Sequence, residues 1–319
     1  VFSILIVIGS ILGFLLGWNN SGMITTASYG SGVLGYSRSR IIAGLGVMAG
    51  AFMEGSKMSH TLFGGLMSSE SSSSTVDTAI VLAALLTSIV VLFAFSMIQV
   101  PSSLSLLAVG ASVGAIIGLN LPLQLNYLMV LVASWLLLPL LSGILTMFVY
   151  RLVVVLVSRL SLSIADLVTQ LSVVLGIFVV SYALGANNVG FINGLYGPLV
   201  SQSYQAIVTL VISASTIMGI FLLGQTITKS VGEKFVVLSP QGVFTSMTVS
   251  ATLVWILTQW GIPMSITHVL MGSIIGAALT KQIAMINRRT VYVILSGATI
   301  STLLSCILAL TLVRTLLSI

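Results

Sequence analysis

The run from Ile80 to Phe95 carries no charged residue, and neither does the longer run from residue 125 to residue 150. A stretch of about 18 or more apolar residues reads as a bilayer-spanning helix, because in lipid every backbone N–H and C=O must be satisfied within a helix or a closed barrel. The pattern excludes the barrel. Its strands would alternate polar and apolar residues in segments of about ten, whereas these runs are continuously apolar. Charged residues make up only 5% of the chain, against about a quarter of a soluble domain. The expected fold class is therefore an all-α polytopic membrane protein, multi-pass and in contact with membrane lipid, with no soluble domain visible in its 319 residues.

Lysine and arginine number 11 against 5 acids, a formal charge of +6. In a membrane protein such an excess marks cytoplasmic loops. The basic residues fall in scattered pairs, such as Arg38 with Arg40 and Arg288 with Arg289. They lack the interleaved aromatics on which a single-strand binder stacks bases, so nucleic acid is not an expected partner. The lone Cys306 is expected to pack inside a helix. Val1 to Leu16 has neither a basic n-region nor a small-residue cleavage site, and reads as a first span and not a signal peptide.

Apolar stretches lie at about 1–16, 41–53, 79–98, 104–119, 125–157, 167–184, 205–223, 243–259, 266–279 and 291–313. The two that follow Pro101 and Pro263 are too short for a full crossing and suit re-entrant half-helices. By contrast, 125–157 extends about 50 Å at 1.5 Å per residue and contains Pro139 and Gly143. It is expected to be broken, steeply tilted or two helices. The serine-rich stretch 68–78 is expected to be a loop, with Glu70, Asp77, Glu233 and Lys234 as loop charges.

An internal repeat organises the chain. Gly17-Trp18-Asn19-Asn20-Ser21-Gly22 returns as Gly185-Ala186-Asn187-Asn188-Val189-Gly190, and Gly50-Ala-Phe-Met-Glu-Gly55 as Gly219-Ile-Phe-Leu-Leu-Gly224. Pro101-Ser102-Ser103-Leu104-Ser105 returns as Pro263-Met264-Ser265-Ile266-Thr267. Three matches in one order at nearly constant spacing imply two homologous halves, residues 1–157 and 158–319. Repeats of this kind mark secondary transporters, whose substrate sits near the midplane between halves, held by discontinuous helices. Each half is expected to break at its Gly-x-Asn-Asn segment and again at its Pro-x-Ser segment.

The second break reads as the mouth of a half-helix. Proline fits a first helical turn and Ser or Thr beside it can cap, while the free N–H groups and partial positive charge suit an anion. Hydroxyls recur at Ser103/Ser265 and Ser105/Thr267. Asn19, Asn20, Asn187 and Asn188 supply amide donors and carbonyl acceptors, and Ser21 adjoins them; an equally plain role for these Asn residues is capping next to Gly. Glu54, Lys57 and His60 form the remaining polar cluster, a proton or anion site or else an ion pair at a helix end. Ser163 and Asp166 have capping-box spacing. The acids are too few and too scattered for metal or acid–base chemistry, so no metal or cofactor and no enzyme activity are expected; an integral-membrane enzyme remains the competing class, and an anion channel could use the same helix mouths.

The duplicated Gly-x-Asn segments and Gly261-Ile262-Pro263-Met264-Ser265-Ile266-Thr267-His268 resemble the inorganic phosphate transporter (PiT) family, including its compact sulfate-permease relatives. That family carries Gly-Ala-Asn-Asp in each half and Gly-x-Pro-Val-Ser-x-Thr-His late in each. The resemblance implies an inverted-topology repeat, re-entrant hairpins and uptake of a tetrahedral inorganic oxyanion across the plasma membrane, driven by a cation gradient. Phosphate is the first expectation and sulfate the alternative. The family's acidic position, a sodium ligand in sodium-coupled members, is Asn20 and Asn188 here, which turns the expectation from sodium towards protons carried by His268, Glu54 or His60. A cavity without those carboxylates leans towards donors, which suits sulfate. Oligomeric state, including a homo-oligomer, is left open.

Overall fold

The computed structural model describes residues 2–31, 33–58, 65–66, 74–100, 102–196, 199–225, 238–280 and 288–317. Within them the chain forms α1 (Phe2–Ser31), α2 (Tyr36–Glu54) with a 3-10 turn at Gly55–Met58, α3 (Ser74–Met97), α4 (Leu104–Gly118) and α5 (Leu125–Ser158). The same series then repeats. It runs α6 (Leu162–Leu184), a π-turn (Gly185–Val189), α7 (Gly190–Tyr196), α8 (Gln205–Leu222), α9 (Pro240–Gln259), α10 (Ile266–Thr280) and α11 (Arg288–Leu317). Seven of the described helices are long and apolar enough to cross a bilayer. The short pair α4 and α10, 15 residues each, extend only about 22 Å, less than the roughly 30 Å hydrocarbon core. They are the re-entrant halves of hairpins α3–α4 and α9–α10.

The two halves are interlocked. α1 packs most extensively on α8 and α2 on α6, while α4 packs on α11 and α10 on α5. Each of these pairs takes one helix from each half. The crossings are close because glycines stand at them: a Cβ on Gly17 would strike the Thr216 carbonyl, one on Gly185 the Val47 carbonyl, and ones on Gly114 and Gly276 the carbonyls of Cys306 and Gly143. Small residues that let backbones approach are the usual means of association in lipid, where apolar side chains gain nothing by leaving the tails.

Several sequence expectations change. Of the three alternatives for segment 125–157, a break and two helices fall away: it is one helix, α5, 34 residues long with Pro139 inside it. Its Trp135 side chain donates to the Pro263 carbonyl at 2.9 Å. Only Leu131, Ser142, Thr146 and Tyr150 of this helix are buried, with Tyr127, Leu128, Trp135 and Leu138 partly buried against the core, and a helix of this length exceeds the membrane thickness by tilt or protrusion. α1 runs unbroken through Asn19 and Asn20; of the two expected Gly-x-Asn-Asn breaks, only the second deforms the helix, as a π-turn. Ser163 lies within α6, whose N-cap is Ser161, and Asp166 accepts from Gln170 at 2.9 Å, so no capping box forms. Asp77 sits in the first turn of α3, not in a loop. His60, Glu70, Pro101, Glu233 and Lys234 lie outside the described residues.

Candidate functional site

The two hairpin tips meet at the centre of the fold, and the repeated Asn pairs hold them there. Asn19 donates to Ser96 Oγ at 3.0 Å and to the Val100 carbonyl at 3.4 Å, while its Oδ1 accepts from the Ser102 N–H at 2.9 Å. Asn187 does the same in its own half. It donates to Thr258 Oγ1 at 2.9 Å and to the Ile262 carbonyl at 3.1 Å, and accepts from the Met264 N–H at 2.9 Å. All three partners of Asn187 sit 162 residues beyond the partners of Asn19. These bonds turn each chain reversal at a hairpin tip and satisfy backbone groups that the tip would otherwise strand in a low-dielectric interior.

The second Asn of each pair crosses between halves. Asn20 Oδ1 accepts from Thr267 Oγ1 at 3.0 Å, and Asn188 Nδ2 donates to Ser105 Oγ at 3.1 Å. Ser105 in turn donates to the Met264 carbonyl at 2.9 Å. Asn20 also donates to the Leu16 carbonyl one turn back at 3.1 Å, which is how α1 carries an Asn pair without breaking. None of the four acts as the cap that sequence alone allowed. All four are at most 2% exposed, so their amides are committed to the interior.

Ser103 is the N-cap residue of α4 but makes no capping bond. Its hydroxyl, the Ser102 hydroxyl and Asn188 Oδ1 are buried without a hydrogen-bond partner. Buried polar groups are ordinarily paired, and three unpaired ones lie together at this junction. On α10, Ser265 Oγ accepts from the His268 N–H at 3.3 Å, and the buried His268 imidazole adjoins this first turn. The first-turn N–H groups of α4 and α10 have no intrahelical acceptor. The junction is therefore rich in donors. Among the described residues no carboxylate is buried, whereas the His268 side chain is.

Two expected site residues stand apart. The Ser21 hydroxyl donates to the Trp18 carbonyl at 2.7 Å and to the Gly224 carbonyl at 3.1 Å, tying α1 to the end of α8. Glu54 pairs with Lys57 at 2.5 Å and accepts from Gln259 Nε2 at 3.1 Å, without bonding any of the four Asn residues. A groove of about 200 Å³ between α6 and α9, lined by Tyr182, Thr248, Thr252 and Trp255 with smaller apolar residues, runs beside that pair. Sequence reasoning missed Ser96, Thr258 and Gln259. The repeat register pointed to the first two, because Ser96 and Thr258 occupy matching positions ahead of the paired Pro motifs.

Comparison with known proteins agrees with this architecture. The chain is 27% identical over 259 residues, 80% of its length and 71% of the relative's, to the sulfate permease CysP of Bacillus subtilis (strain 168). The structure of a sodium-dependent phosphate transporter matches it with a TM-score of 0.82 at 20% identity, covering 99% of each chain. That likeness shows a shared fold. Both relatives are transporters and not enzymes. The description of the phosphate transporter family fits the chain twice over, at residues 16–178 and again at 160–309. With a match to each half covering nearly all of the chain, this multi-pass membrane protein belongs to the phosphate transporter family.

Proposed function

We propose that the protein is a secondary transporter that imports a tetrahedral inorganic oxyanion across the plasma membrane by alternating access, with sulfate ahead of phosphate as substrate and protons as the coupling ion. The observation that carries the reading is the donor-rich junction with no carboxylate among its described residues. Sulfate has only acceptors, so hydroxyls, amide N–H groups and helix N-termini match it. Phosphate near neutral pH also donates a hydrogen bond and gains from a carboxylate acceptor. The substrate ligands in this reading are Ser103, Ser105, Asn188, Ser265 and Thr267, with Asn19, Asn20 and Asn187 holding the tips that present them.

A sodium ion is poorly matched to the same junction. Hard cations favour several carboxylate and carbonyl oxygens, yet Asn20 Oδ1 is engaged by Thr267, which leaves Asn188 Oδ1 as the one unpartnered amide oxygen of that pair, and both side chains are neutral. The halves, 1–157 and 158–319, act in this reading as inverted repeats that exchange roles to open the junction to one side and then the other. The matched tip bonds of Asn19 and Asn187 support that reading, since equal bonds make the two arrangements close in energy.

The test is uptake of labelled sulfate and labelled phosphate in proteoliposomes with proton and sodium gradients imposed independently. Sulfate accumulating against its gradient on a proton gradient is the expected result. Uptake that only equilibrates would make the protein an anion channel, and sodium-driven phosphate uptake would refute the substrate and coupling choices together.

A further inference from the structure

One residue away from the Asn187 junction, the two halves cease to match. Lys57 adjoins Met58, whose sulfur lies 3.7 Å from Asn187 Nδ2, and Gln259 adjoins Thr258, which accepts from the same amide. Lys57 pairs with Glu54 and also hydrogen-bonds Gln259 Oε1. Tyr182 from α6 and Trp255 from α9 face the Glu54 carboxylate as well. At the corresponding positions of the other half stand Leu223 for Glu54, Met97 for Gln259, Phe14 for Tyr182 and Phe93 for Trp255. The rim of one hairpin tip is thus charged and polar, while the described residues at these matching positions of its twin are apolar; Thr226, the counterpart of Lys57, lies outside the described residues.

We propose that Glu54 and Lys57 form a vestibular site that takes up one proton and one tetrahedral oxyanion as a unit, the anion settling on Lys57 when the proton occupies Glu54. The inference rests on the oxyanion reading above and adds a second binding station to it. With Glu54 ionised, the Lys57 charge is cancelled at 2.5 Å and an arriving anion meets a carboxylate. Proton transfer from hydronium forms an O–H bond on the Glu54 carboxyl, releases a water molecule and removes the carboxylate charge. The Lys57 ammonium then has no carboxylate to offset its charge, and the oxyanion takes the place of that carboxylate as its counter-ion. Lys57 can receive it, being 41% exposed, while Glu54 beneath it is 16% exposed. Of the groups facing Glu54 from the 3-10 turn, α6 and α9, Lys57 is the charged one among the described residues, with Tyr182, Trp255 and Gln259 neutral. Proton and anion therefore bind with reciprocal coupling, which no neutral Leu223–Met97 rim could provide.

The test reads Lys57 directly in the purified full chain. Its acylation by a water-soluble amine reagent is followed by mass spectrometry with potassium sulfate or with potassium chloride at matched ionic strength. Sulfate is expected to protect Lys57 about fivefold or more better at pH 6 than at pH 8, the lower end of usual coupling strengths. Glu54→Gln is expected to give equal protection at both pH values. Absent protection in the wild-type protein, or protection indifferent to pH, overturns the proposal without needing any variant to fold. The double variant Asn188→Ala, Thr267→Ala should lose uptake but keep the protection; loss of both would show that shielding follows from binding at the central junction and would overturn the separate station. A protein that accumulates neither sulfate nor phosphate while Lys57 is still protected refutes the transport reading and leaves this site standing.

Discussion

Gly185→Ala tests whether helix approach sets the substrate junction. A Cβ at this position would sit well inside van der Waals contact with the Val47 carbonyl. Backbone offers no flexible end to swing away, so α2 and the start of the π-turn must part by about 1 Å to restore ordinary contact. Asn187 lies two residues on, with hydrogen bonds of 2.9, 2.9 and 3.1 Å to Thr258, Met264 and Ile262. A displacement of that size takes all three beyond bonding distance. Each contributes about 0.6–1 kcal/mol in a membrane interior, so the assembled tip loses roughly 2–3 kcal/mol. Substrate affinity should fall about 30- to 150-fold if only the assembled tip binds. The better helix propensity of Ala returns up to about 1 kcal/mol to overall stability, so the melting temperature should fall far less than the affinity does. Titration calorimetry with sulfate on the detergent-purified protein measures the first quantity and a thermal melt the second. Gly35→Ala is the control, because nothing lies within 4 Å of its added Cβ. Undiminished sulfate affinity in a folded Gly185→Ala protein would refute the link between helix approach and the junction.

Ser103→Ala removes a buried hydroxyl that has no partner. It should leave the melting temperature unchanged or higher while weakening sulfate about 5- to 30-fold, the worth of one or two kcal/mol; calorimetry showing equal affinity would exclude Ser103 as a ligand. Ser105→Ala strands Asn188 and the Met264 carbonyl together, whereas Thr267→Ala breaks a single bond to Asn20. The first should therefore cost about twice the second, near 2 against 1 kcal/mol, in denaturation measured under identical detergent conditions, and equal losses would contradict the bonding described. Asn188→Asp restores a negative charge where Oδ1 is unpartnered, and should introduce sodium dependence into uptake. Transport that stays indifferent to sodium would count against a cation station there.

The repeat made much of the architecture legible before any coordinates. Gly17 to Gly22 and Gly185 to Gly190 announced paired segments, and the short runs after Pro101 and Pro263 announced re-entrant halves. What the residues did not reveal is how an Asn pair meets its surroundings. Asn20 bonds back to Leu16 and leaves α1 regular, while its twin segment winds into a π-turn; both follow from contacts made at long range. Helix pairing was equally hidden, because lipid-facing and helix-facing side chains are apolar alike. Only the glycines distinguish them, and a glycine in a sequence does not name the carbonyl it approaches. Pro139 misled for a related reason: a proline removes one bond from a helix, but α5 is held by α10 along that stretch and continues.

The exchange of helices between halves bears on how the protein is made. When α5 enters the membrane during synthesis, α1, α2, α4 and α5 have yet to meet α8, α6, α11 and α10, the helices on which they will pack most. Asn20 and Ser105 wait likewise, since Thr267 and Asn188 are still to be synthesised. The first half, in which α3 can already pack on α1 and α4, must remain only partly assembled until the second arrives, and neither half holds a complete set of contacts by itself. Cooperative assembly is then a late event, in which α11 closes over α4, and a chain stalled before α11 leaves α4 without the helix on which it packs most.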